Sequence, residues 1–178
     1  MSVLIFIDVA EGSIKKNSFE ALSYGAKIAE QLGTTAEGVV LGSVNDDLAA
    51  LGKYGVKKIH HAVGAFSHFD AQVYTKAIAE VAAATGATVI VFSNIISGKA
   101  IAPRLSARFK AGLVAGAVAL PDASNGFTVK KNVFSGKAFA NVTVNTDVKI
   151  ISLSPNAYQV IAGEGTAEVV TANVTAAS

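Results

Sequence analysis

The sequence predicts a three-layer α/β fold, a parallel sheet covered by helices on both faces, with an antiparallel β meander at its C-terminal end. Three observations carry that reading. Short continuous apolar runs, such as Val3-Leu4-Ile5-Phe6-Ile7 and Thr88-Val89-Ile90-Val91-Phe92, have the texture of strands buried on both faces. These runs alternate with helix-length segments, which implies crossover connections and a Rossmann-like parallel sheet. After Leu113 the pattern shifts to period-two alternation between turn residues, the mark of an antiparallel meander. A chain of 178 residues with 51% hydrophobic and 16% charged residues suits one domain and excludes disorder.

Each element has its own signal. The run from Val3 to Val9 is broken only by Asp8 and reads as the first strand. Asn17 or Ser18 can cap a helix that carries Phe19, Leu22, Ala26 and Ala29 on one stripe and stops at Gly33. Ala36 to Leu41 is the second strand, and Asp46-Asp47 opens a short helix through Leu48 and Leu51. Val56 to Ala62 is a third strand. Asp70 caps a helix through Val73, Ala77, Ile78 and Val81 that Gly86 closes, and 88–92 is the fourth strand. Gly98 to Lys110 reads as a helix with Pro103 near its first turn, where a missing N–H costs little. An apolar strand from Leu113 to Leu120 leads into the meander, whose strands fall within 127–153, with turns at Ser135-Gly136 and Asn145-Thr146-Asp147. Beyond Gly163 the composition suits either a flexible tail or a strand whose partner is missing.

Composition excludes several classes of function. There is no cysteine, hence no disulfide, thiolate nucleophile or thiolate metal site. Fifteen basic and thirteen acidic residues are scattered, so no basic stripe marks a nucleic-acid partner. No apolar run approaches the roughly 20 residues of a spanning helix, so no membrane insertion is expected. The opening residues lack a basic region and a cleavage site, and a cytoplasmic location is expected.

The usual nucleotide motifs are missing. Gly98-Lys99 lacks the upstream glycine and the following Ser or Thr of a P-loop, and Asp8-Val-Ala-Glu11-Gly12 offers one glycine where a dinucleotide turn needs several. Gly52 and Gly55 have the first spacing of the G-x2-G-x9-G-[ST] signature of universal-stress domains, but Ala65 stands in place of its third glycine. His60 and His61 are neighbours on a strand, point to opposite faces and cannot share a metal; solvated edge positions are expected for them. No serine lies in a nucleophile elbow, and Asp46-Asp47 and Glu164 read as cap and loop residues.

One segment stands out. Ser93 to Arg108 follows the fourth strand and opens a helix at the sheet edge where ligands gather. Free amides at the helix start, with Ser93, Gly98, Lys99 and Arg104, offer an anion or flavin-edge contact. The structural alternative is that Gly98 makes the turn, Pro103 starts the helix and Arg104 pairs with a partner surface. The string Ser-Gly-Lys-Ala recurs at 135–138, so by itself it says little.

The same segment resembles the α subunit of electron transfer flavoproteins. Gly98-Lys99, Pro103-Arg104 and Leu105-Ser106-Ala107 follow the family's order, as do Phe127-Thr-Val-Lys130 and Val133-Phe134-Ser-Gly136-Lys-Ala138. The likeness covers residues 1–160 and implies an adenine nucleotide α hydrolase-like N-terminal domain. Residues 161–178 would be a linker or a truncated interdomain strand. The resemblance implies FAD in the full-length heterodimer, held mostly by a C-terminal domain of which this chain contains no part, so the chain is expected to be a fragment that binds none itself. It also implies pairing with the β subunit, electrons taken from dehydrogenases and passed to a respiratory acceptor, and no catalytic site in this domain. A domain made for a heterodimer should expose an apolar patch, with the meander and the 113–120 strand as its sources. The alternative is a stand-alone adenine-nucleotide-binding module of the universal-stress type.

Overall fold

A computed structural model of the chain describes residues 1–64 and 66–175. The elements in order are β1 (Ser2–Ile7), a two-strand ladder of β2 (Val9–Ala10) and β3 (Ser13–Ile14), α1 (Lys16–Leu32), β4 (Ala36–Leu41), a 3-10 turn (Leu48–Tyr54) and β5 (Lys58–Ala62). They continue with α2 (Ala71–Thr85), β6 (Ala87–Ser93), α3 (Ile96–Phe109), β7 (Gly112–Ala117), β8 (Thr128–Val133), β9 (Ala138–Thr143), β10 (Lys149–Leu153) and β11 (Glu168–Thr171). The main sheet has nine strands in the order β11-β5-β4-β1-β6-β10-β7-β8-β9. All its neighbours pair parallel except β7–β8 and β8–β9.

β1 shows how the three layers arise. All six of its residues are buried, because side chains alternate between two covered faces. Val3, Ile5 and Ile7 meet Leu22, Tyr24 and Ile28 of α1 in one core. Leu4 and Phe6 meet Ile78 of α2 and Ile101 and Leu105 of α3 in the other. The expected strands at 36–41, 56–62 and 88–92 lie in the parallel part of the sheet, and Gly33 and Gly86 close α1 and α2 in left-handed conformations. Asp70 caps α2 through Gln72 and Val73, and Asp47 caps the 3-10 turn through Ala49.

Four expectations need correction. The meander does not run to 153. Within 127–153 only β8 and β9 form an antiparallel hairpin, while β10 returns to the centre of the sheet and pairs parallel with both β6 and β7. Its Ile150, Ile151, Ser152 and Leu153 are consecutively buried, as a strand covered on both faces requires. Pro103 lies inside α3 rather than near its first turn, because the helix already begins at Ile96. Its missing N–H falls on an exposed position, where water can satisfy the carbonyl left free. Neither Asn17 nor Ser18 caps α1: Lys15 occupies the N-cap with no side-chain bond. Ser18 instead ties the helix to β1, its Oγ accepting from the Asp8 N–H at 2.9 Å. The strand expected over 113–120 ends at Ala117.

The segment after 160 is built onto the sheet. The N–H of Gly163 donates to Lys53 O at 2.7 Å, and that of Ala167 to Ala49 O at 2.9 Å. β11 then pairs with β5, so this strand has its partner within the chain.

Candidate functional site

The order of the sheet reverses beside β1: β4 and β5 are laid on one side and β6 on the other. In such sheets the crevice at the carboxyl ends of the strands is the natural ligand position. A cavity of about 460 Å³ lies there, lined by Asp8, Lys15, Gly42, Phe69, Tyr74 and Ser97 among others. Asp8 follows β1 and is 6% exposed. Lys15 Nζ lies 3.4 Å from Asp8 Oδ2, but no group among the described residues gives that oxygen a hydrogen bond.

The Tyr74 hydroxyl donates to Phe66 O at 3.1 Å. Burial, and then the charge of Asp8, push the Tyr74 pKa above the ordinary tyrosine value. The Tyr74 ring meets Phe66 and Phe69 edge-on at 5.5 and 4.9 Å. Glu11 also lines the cavity, so two carboxylates face one ammonium. A phosphate would meet net negative charge here, as the missing glycine-rich turn also suggests. Gly12, the one glycine of that loop, packs on Asn45, which donates its N–H to Gly12 O at 2.8 Å. The sequence signal for this cleft was Asp8, the single charge in an apolar run. Tyr74 and Ser97 carried no separate signal, because only the fold brings them to it.

The four residues singled out on the segment after β6 do not converge. Ser93 is 6% exposed, and its hydroxyl donates to Asn17 O at 3.1 Å. Gly98 is buried against the end of β6, where a Cβ would lie 1.9 Å from Ser93 O. Any side chain at 98 would push α3 off the sheet. Lys99 is exposed on the first turn of α3. Arg104, five residues further and so on another side of the helix, lines a groove between α2 and α3 with Gln72, Thr75, Lys76 and Arg108. A flavin pyrophosphate needs several convergent amides or an Arg clamp. Lys99 and Arg104 reach solvent on separate faces, so they form no such cradle together.

The histidines are not solvated edge residues, because β11 covers β5. His60 Nε2 is 2.5 Å from Glu37 Oε1, and His61 Nε2–H donates to Gly42 O at 2.7 Å. Among the described residues no cluster of His, Asp or Glu could hold a metal ion. Gly52 and Gly55, the first two positions of the incomplete ATP signature, lie in the 3-10 turn and its cap. A Cβ at Gly52 would meet the Thr166 carbonyl carbon at 2.2 Å, so this glycine serves the packing of the C-terminal segment. Ala65, at the third position, lies outside the described residues. No helix among the described residues is long and apolar enough to cross a membrane.

Comparison with known proteins gives a consistent result. The model of a family described as "Electron transfer flavoprotein domain" matches residues 3–177. Protein FixB of Clostridium saccharobutylicum is 26% identical over 143 residues, covering 79% of this chain and 43% of the relative. The electron transfer flavoprotein subunit alpha of Bacillus subtilis is 26% identical over 160 residues, covering 88% of this chain and 48% of the relative. The acryloyl-CoA reductase electron transfer subunit beta of Anaerotignum propionicum is 31% identical over 117 residues, covering 64% of this chain and 31% of the relative. The chain thus spans about half the length, or less, of these curated relatives. The stand-alone universal-stress reading gains no support from them.

Proposed function

Because the chain belongs to the electron transfer flavoprotein domain family, we propose that it acts as the N-terminal, subunit-associating domain of an α-type subunit. The observation that carries this reading is the family match along residues 3–177, joined to relatives about twice as long. In the complete complex, electrons would pass from dehydrogenases through FAD to a respiratory acceptor, in the cytoplasm. This domain would serve as a carrier component rather than as an enzyme. Residues 1–160 supply the bulk of its α/β body, and 161–178 act as an interdomain segment that adds β11 to the edge of its sheet. The flavin is held chiefly by other parts of the complex; of Ser93, Gly98, Lys99 and Arg104, only Lys99 and Arg104 reach solvent, each limited to a separate contact at its edge. The divergence of these four residues supports that division.

The test is coexpression with the electron transfer flavoprotein β subunit of the source genome. The two chains should copurify and elute together at the mass of a complex. Separate elution at micromolar concentration would refute the assignment as a subunit-associating domain.

A further inference from the structure

We propose that the hairpin β8–β9 is a docking edge for an acidic partner protein, which adds a strand to β9 and buries Phe134 and Phe139. The proposal rests on the reading above in one respect: its partner is the second subunit of the complex.

The hairpin ends the nine-stranded sheet, and the outer edge of β9 pairs with no strand among the described residues. It is held to β7 through the single register pair Ala117–Lys131 and one further bond from the Val118 N–H to Lys130 O. Free edges usually carry charge or bulges that discourage pairing. This hairpin carries exposed apolar rings as well as lysines. Phe134 at the tip is 78% exposed and Phe139 on β9 is 57% exposed.

The tip is also strained. Phe134 and Ser135 have φ of +51° and +55°, in a tight turn whose conformation suits Asn-Gly. A phenylalanine there strains the backbone and gains almost no burial within this chain. The arrangement makes physical sense when a second surface covers the ring.

Charge identifies the occupant. Lys130, Lys131 and Lys137 lie on the hairpin, with no Asp or Glu anywhere from 127 to 146. Lys130 Nζ sits 4.5 Å from the centroid of the Phe139 ring, joining cation and apolar surface in one patch. An acidic rim around an apolar pocket complements this patch. A second copy of the chain would set lysines against lysines. Nucleic acid would neutralise the lysines but would leave the free backbone donors and acceptors of β9 unread. An added strand uses both.

The experiment measures affinity of the chain for the β subunit of the source genome by titration calorimetry, at low and high salt. F134A/F139A should weaken binding by about tenfold or more, as for truncated aromatic anchors. K130E/K131E/K137E should weaken it further and remove its loss at high salt. F134G separates docking from folding: it relieves the turn, so the unfolding midpoint should rise while affinity falls. Lys27→Glu on α1 serves as the control and should bind as the parent does. Equal affinity of the parent and all hairpin variants would overturn the docking edge while leaving the subunit reading intact. No binding by the parent would overturn both. Concentration-dependent self-association abolished by the hairpin variants would assign the edge to a second copy. Capture of a labelled single-stranded oligonucleotide, lost in the lysine variant, would assign it to nucleic acid. Either of these last results overturns the proposal.

Discussion

Tyr24 joins three parts of the molecule through one side chain. It lies on α1, is fully buried, and donates its hydroxyl to Ala119 O at 2.7 Å just beyond β7. Its ring also meets Tyr158 edge-on at 5.4 Å. Burial first, and then the nearby Tyr158, raise its pKa far above the ordinary tyrosine value. The folded state therefore holds this proton more tightly than the unfolded chain does. The resulting stability is fully present below the unfolded value of about 10 and is lost as pH rises from there toward the folded value. Tyr24→Phe should cost about 1 kcal/mol at neutral pH, mostly through the lost bond to the Ala119 carbonyl. It should also flatten the alkaline fall in stability. Urea midpoints across pH 8 to about 11 would check this, and an unchanged alkaline slope would count against the assignment. At the same scale, Gly98 was legible as a special position, but not the reason for it. The 1.9 Å approach to Ser93 O is a relation between a strand end and a helix start, and spacing along the chain does not encode it.

The parallel half of the fold was legible because buried strands and capped helices announce themselves locally. Asp70 and Gly86 bound α2 with the residue types those positions demand. β10 was misplaced because its flanking turns suggested a meander, although Ile150 to Leu153 form a continuous buried run of the kind seen in β1 and β6. The sheet position of such a run depends on partners more than fifty residues away, here Val89 to Ser93. β11 was obscured for another reason. Its burial is slight, and its role is to cover β5 by backbone pairing, which leaves little trace in side-chain pattern. Ending the chain after residue 162 tests that role. It would remove the bonds from Ala167 to Ala49 and from Glu168 to Lys57, and would bare the edge of β5. The shortened chain should unfold at a lower temperature, by several degrees for a domain of this size, and should aggregate at concentrations where the parent stays monodisperse. Thermal denaturation with light scattering would measure both, and an unchanged midpoint would show that β11 adds nothing to the fold.

At the scale of the whole molecule, sequence spacing gathered Ser93, Gly98, Lys99 and Arg104 into one segment, and the fold sends them in different directions. Ser93 is committed to Asn17, Gly98 to the seam between β6 and α3, Lys99 to solvent, and Arg104 to the groove beside α2. The cleft at the strand ends is lined by Asp8 and Glu11 against the single cation Lys15, and its net charge opposes a pyrophosphate. A dinucleotide bound by this chain alone would therefore have to be held by single cations on open surface. Such contacts are worth about 1 kcal/mol or less each, while immobilising a ligand of that size costs at least about 4 kcal/mol. The isolated chain should accordingly purify without flavin absorbance, and titrated FAD should bind no tighter than about millimolar. Under the proposed reading, a complete complex of α-type and β subunits should be yellow. Absorbance across the flavin bands, followed by fluorescence titration of FAD into the chain, measures this directly. Stoichiometric yellow protein from the chain alone would mean that Lys99, Arg104 and the start of α3 rearrange into a site that the folded domain does not display.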